Sequence, residues 1–177
     1  LSASVLFRPT QAFSVSLAQD GASNTMESNL KECPYPTRYT SMTALRARYH
    51  WHGLRVDASL VHTATWEKVK AGEAPDDFNR LAPALSLSFK PWSEEDLYLR
   101  LMYKNTFRLP TFNDLYYYRL GNRSLNPEKA NELNLGVTWS RSGWGALSHL
   151  SLTVDSYYND VKDKIVAFPG TFTWRMV

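Results

Sequence analysis

Along most of this chain apolar and polar residues alternate one for one, and a period of two excludes most folds before composition is considered. Leu45, Ala47, Tyr49 and Trp51 fall on one side of residues 42–51, and Arg46, Arg48 and His50 on the other. His52-Gly53 then supplies the two residues of a tight hairpin. Beyond it, Leu54, Val56, Ala58 and Leu60 alternate with Arg55, Asp57 and Ser59. The same pattern marks residues 1–7, 13–20, 81–90, 97–104, 132–140 and 150–158. Shorter pieces at 164–167 and 171–177 bring the expectation to about ten strands in an all-β, antiparallel up-and-down meander. Residues 131–135 carry Glu and Leu, yet Leu133, Leu135, Val137 and Trp139 keep the strand period, so no helix is expected. No fixed-period repeat points to a propeller or solenoid.

The connections alternate as well. They are short at Arg8, His52, Pro91 and Arg141, and long after Asp20, Trp66, Phe107 and Asn159. In a meander every second connection falls at the same end, so one end is smooth and the other rich in loops. Outer-membrane barrels show that asymmetry, whereas Greek-key sandwiches mix their ends. The polar faces carry Arg46, Arg48, Arg55, Asp57, Arg100 and Lys104; the opposite faces are almost wholly aliphatic or aromatic. Strands of about ten residues tilted by about 45° span about 23–25 Å, the height of a barrel's apolar band. Trp51, Trp66, Phe89, Tyr103, Trp139 and Tyr158 fall near strand ends, where interfacial aromatic girdles sit. His62 is the exception. Its register would turn it toward lipid, which predicts a place near the external interface or a bulge beside it.

Other classes lose ground quickly. No apolar run approaches the roughly 18–20 residues of a membrane helix. A net charge of +3 without a run of Lys or Arg gives no nucleic-acid footprint, and regular alternation disfavours a single-strand surface. Cys33 is alone, so no internal disulfide or zinc spacing exists. His50, His52, His62 and His149 read as surface or lumen residues. Neither G-x-S-x-G nor H-E-x-x-H occurs. The carboxylates at 76–77 and 94–96 fall in connections, and Asp155, Asp160 and Asp163 fit no calcium loop. No catalytic residue, metal site or cofactor is expected. The first residues lack a basic leader and the last stop within a strand, so both ends are expected to be cut.

The densest motif lies at residues 97–136. It contains FRLPTFNDLYY followed by GNRSLNPEKANELNLG. This stretch resembles the barrel of TonB-dependent outer-membrane receptors, where F-R-x-P-T-x-x-D-L-Y precedes G-N-x-x-L-x-P-E and a strand of the type N-E-L-x-L-G. Weaker similarity extends to RLAPALSLSFKPW and LSLTVDSYYNDVKDKIV. The resemblance implies a transmembrane barrel of about 22 strands. Residues 1–177 would be an internal part of it, without the plug domain, the TonB box or the barrel's C-terminus. It further implies a Gram-negative outer membrane and uptake of a scarce, bulky solute: a ferric siderophore, haem, cobalamin or a glycan. The implied partners are outer-membrane lipid, the ligand, and the TonB energy-transducing complex acting through the plug. No residue selects among the ligands.

The loop at 107–129 is the expected functional region. Arg108, Asn113, Asp114, Tyr116, Tyr117, Tyr118, Arg119 and Arg123 offer stacking faces and polar groups to an anionic, aromatic or metal-chelate ligand. Pro110, Pro127 and Glu128 are expected to shape the loop, Glu128 by pairing with Arg108. On residues alone a soluble β-sandwich stays open, either a carbohydrate-binding module or an adhesin, its apolar face covered by a second sheet.

Overall fold

The computed structural model describes residues 1–29, 33–117, 121–144, 147–167 and 174–176. Eight strands form one sheet in chain order: β1 (Ser2–Phe7), β2 (Phe13–Thr25), β3 (Thr37–Trp51), β4 (Leu54–Lys68), β5 (Phe78–Phe89), β6 (Asp96–Arg108), β7 (Glu128–Trp144) and β8 (Leu147–Lys162). Each is antiparallel to the next. β9 (Ile165–Ala167) and β10 (Trp174–Met176) make a separate antiparallel pair. A five-residue helix, α1 (Phe112–Tyr116), sits between β6 and β7. Among the described residues β1 and β8 do not pair with each other, so the sheet is an open wall.

The registers line up the alternating patterns of all eight strands. Phe7, Val15, Ala47, Ala58, Leu85, Tyr103, Leu133 and Tyr158 lie on one face, linked by successive ladder pairs. That face stays bare. Trp51 is 59% exposed, Leu135 51% and Leu152 59%. Among the described residues no second sheet covers it, which removes the sandwich. A water-facing surface this continuous and greasy is unusual for a soluble protein, whereas a barrel in lipid requires it. The six expected girdle aromatics all lie on this face. On β8 the step from Leu152 to Tyr158 is roughly 20 Å along the strand, close to the expected band.

The other face is polar and cross-linked. Arg46 and Arg48 share Asp57 at 2.6 and 3.0 Å, and Lys104 reaches Glu132 at 3.7 Å. Arg100 and Asp155 pair at 2.9 Å although β7 runs between their strands. Gly136 permits this contact. It lies opposite both residues, and a Cβ there would run into the Asp155 carboxylate and the Arg100 guanidinium.

The strands outrun their expected ends on the long-loop side. Residues 21–25 and 37–40, expected to be loop, continue β2 and β3. Residues 128–131 likewise belong to β7. Beyond the apolar band both faces are polar, so alternation vanishes while the ladder continues. His62 stands at that transition without a bulge, between Thr43 and Leu81 in unbroken ladders, with its Nε2 2.5 Å from Asn79 Oδ1. Pro83 marks another change. It has no N–H to share, and the pairing of β5 with β6 stops beside it at Ala84 opposite Lys104.

Candidate ligand site at the long-loop end

The described parts of the β6–β7 connection, residues 109–117 and 121–127, form a folded element. Thr111 caps α1. Its Oγ1 accepts from the Asp114 N–H at 3.2 Å, and Asp114 Oδ2 accepts from the Thr111 N–H at 2.8 Å. This reciprocal capping box satisfies two backbone donors that a short helix leaves open. The signal was present in the sequence as Thr-x-x-Asp after a proline, although no helix was expected there. Leu115 and Tyr116 then turn inward against Leu125 and Ile165, with Met26, Val69 and Phe112 packed around them. Long loops from both sides of the sheet thus share one small core.

A buried ion pair fixes this core to the wall. Arg38 of β3 meets Glu67 of β4 at 2.5 Å, their side chains only 14% and 6% exposed. Tyr116 Oη donates to the other Glu67 oxygen at 2.6 Å. Arg38 Nη2 donates to the Pro110 carbonyl at 2.8 Å, and its guanidinium lies 5.0 Å from the Phe112 ring centre. Burial, reinforced by the hydrogen bond to the Glu67 carboxylate, pushes the Tyr116 phenol far above its usual range. The phenol therefore stays a donor. Arg123 stacks 5.3 Å from the Tyr116 ring centre and donates to the Glu73 carbonyl at 3.1 Å. Gly72, at φ +81°, leaves room for that guanidinium.

Between loop and wall lies a cavity of about 340 Å³. Arg38, Glu67, Asp76, Asp77, Arg123 and Lys129 supply its charge, and Phe78, Leu115 and Leu125 its apolar surface. Thr65 also lines it. Its Oγ1 is buried and has no hydrogen-bond partner among the described residues. A few convergent polar groups in a partly apolar cleft are what a small ligand site needs.

The expected site residues divide into two groups. Asp114 and Tyr116 lie inside the loop core with their polar groups engaged by the protein itself. Pro110 is buried and gives its carbonyl to Arg38, and Pro127 lines the cavity. Asn113, Tyr117 and Arg123 are exposed. Arg108 stands opposite Glu128 in the ladder, at 3.5 Å, and Glu128 also accepts from the Ile165 N–H at 3.3 Å. Tyr118 and Arg119 lie outside the described residues. Arg38, Glu67 and Thr65 are additions that the sequence did not single out: Arg38 and Glu67 fall in 21–40 and 67–80, which carried no alternation, and Thr65 stood as one more polar residue near a strand end.

The model of the TonB dependent receptor-like β-barrel family matches residues 8–176. No curated protein sequence matches the chain. Among solved structures, the fold is similar to the Serratia marcescens hemophore receptor HasR, a double mutant in complex with its hemophore HasA and heme. The TM-score is 0.73 at 13% identity, over 99% of this chain and 36% of that one. It is also similar to FauA, the alcaligin outer membrane receptor of Bordetella pertussis. There the TM-score is 0.56 at 15% identity, over 99% of this chain and 32% of that one. At these identities the likeness is one of fold, and the chain spans about a third of each receptor's length.

Proposed function

Because this chain belongs to the TonB-dependent receptor-like β-barrel family, we propose that it forms part of the wall and outer loops of an outer-membrane importer. The family is one of receptors rather than enzymes. The long-loop end captures a scarce, bulky solute, and energy delivered through TonB drives its passage. Similarity in fold to a hemophore receptor and an alcaligin receptor favours iron-bearing cargo, haem or a ferric siderophore, over cobalamin or a glycan. The observation that carries this reading is the cavity between the 109–127 loop and the polar face, set beside an uncovered apolar belt on the other face. In this arrangement the exposed Asn113 and Tyr117 meet cargo together with Arg108 and Arg123, whose guanidiniums are held by Glu128 and by the Glu73 carbonyl, with Tyr118 and Arg119 as further contacts. Asp114 and Tyr116 hold the loop that presents them.

Growth of cells dependent on the full-length receptor tests the reading, with haem, a panel of ferric siderophores and cobalamin supplied singly. One iron compound is expected to support growth. The pair Tyr117→Ala and Arg123→Ala is expected to lower its uptake about tenfold with receptor abundance unchanged, the loss of one to two good contacts. Uptake of no panel member by the unaltered receptor would sink the proposal.

A further inference from the structure

In the cavity between loop and wall every cation is already served. Arg38 meets Glu67 and the Pro110 carbonyl. Arg123 lies on the Tyr116 ring and donates to the Glu73 carbonyl. Lys129 reaches Asp163 at 3.9 Å. The carboxylates are not so well matched. Asp76 and Asp77 line the cavity, are exposed, and enter no ion pair among the described residues. Arg80, further along β5, turns to Asn105 and Phe107 instead. Thr65 is a second, independent sign of a guest. It is 6% exposed, lines the same cavity, and its Oγ1 has no hydrogen-bond partner among the described residues. A hydroxyl withdrawn from water and left unpaired is costly. Thr65 stands opposite Phe78 in the β4–β5 ladder, so Asp77 and Asp76 lie one and two residues from its ladder partner. Two carboxylates and a hydroxyl oxygen, all able to accept, thus meet beside the apolar sides of Phe78, Leu115 and Leu125.

We infer that this cavity seats an alkylammonium arm of the cargo, and so selects an iron chelate that carries a free primary amine. The inference deepens the import reading above and rests on it. An ammonium brings three donors and a compact positive charge to these acceptors. Its methylene stem lies against the apolar side chains. A cavity of about 340 Å³ holds such an arm and leaves the bulky chelate body to the exposed Asn113 and Tyr117. Haem fits less well, since its propionates would meet unpaired carboxylates. A water serves Thr65 but brings no charge to Asp76 and Asp77. A bare divalent cation lacks ligands, because among the described residues no three His, Cys, Asp or Glu are grouped for one.

The probes are a ferric linear tris-hydroxamate ending in a primary amine and its N-acetyl derivative, which differ only at that nitrogen. They are offered, with haem and the other iron compounds of the panel, to cells that depend on the full-length receptor. The amine form is expected to be taken up with about tenfold higher apparent affinity than the acetyl form, and the same ratio is expected for any other amine-bearing chelate that is imported. Asp76→Asn with Asp77→Asn should bring the two forms within about twofold, and Thr65→Val should weaken the amine form about threefold. Glu94→Gln, at the short-turn end, should leave the preference unaltered. The comparison within the unaltered receptor stands whether or not a variant inserts. Equal uptake of the two forms, a preference indifferent to the Asn pair in an inserted receptor, or import only of iron compounds without a cationic group overturns this inference alone. Uptake that rises with millimolar calcium, and loses that response in the Asn pair, assigns the carboxylates to a metal and overturns it as well. Import of no iron compound overturns the import reading with it.

Discussion

At His52-Gly53 two strands reverse within two residues, braced only by the neighbouring turn at Lys90, whereas at the opposite end Pro110 and Tyr116 of the β6–β7 connection reach past β5 to grip β4 and β3. Gly53 is needed at the tight end because the Lys90 carbonyl approaches where a Cβ would stand. The loop end has what the wall lacks: a buried aliphatic and aromatic cluster and an ion pair withdrawn from water. The contrast shows where a protein of this kind needs an interior. A wall bathed in lipid can leave its apolar side uncovered, since hydrocarbon does the work of a core. Once the chain rises into water, its long loops must bury their own apolar groups or remain unordered.

The sharpest way to break this contrast is to remove half of the buried pair. Glu67→Ala leaves Arg38 buried beside an empty site, and the cost of such a change is about 3–5 kcal/mol. Limited proteolysis of the full-length receptor should then cut within 109–127 while the wall stays intact. Next comes a charge on the lipid side. Leu101 sits in the apolar row between Leu87 and Leu135. Leu101→Arg should destabilise the inserted barrel by about 2–4 kcal/mol, read from denaturant unfolding in bilayers, and full wild-type stability would refute the lipid-facing assignment. Thr111→Ala removes the cap of α1 and should loosen the loop by about 1 kcal/mol, seen as faster amide exchange at 111–114. The smallest effect is expected on the polar face of the wall. Asp57→Asn disturbs solvent-accessible pairs with Arg46 and Arg48 and should change stability by less than about 1 kcal/mol. A large loss there would mean that the wall depends on its ion pairs as heavily as the loop does.

The wall was legible because lipid on one side and water on the other write a period of two into every strand that crosses. Leu45 to Trp51 and Leu54 to Leu60 could be read directly, and their register followed. The outer strand ends were not legible, because Ser23, Asn24 and Thr40 meet water whichever way they point. The helix was hidden by its brevity, although Thr111 and Asp114 stood at capping-box spacing. The loop's anchorage was beyond reach for a different reason. Tyr116 meets a carboxylate on β4 that is paired with an arginine on β3, and nothing local in 109–127 encodes that meeting. Asp114 and Tyr116 look like ligand groups in a list of polar and aromatic residues. Only the fold shows that their polar atoms are already engaged.

Pro83 carries a consequence for how the wall could deform. Below it β5 and β6 are zipped by backbone hydrogen bonds; above it they are held by side chains, the Arg80 to Asn105 bond at 3.0 Å and the contact of Phe78 with Phe107. The outer rim therefore has a seam directly beside the cavity between loop and wall. Parting it sacrifices no ladder bond, so the rim can open there while the strand ladder below Pro83 holds.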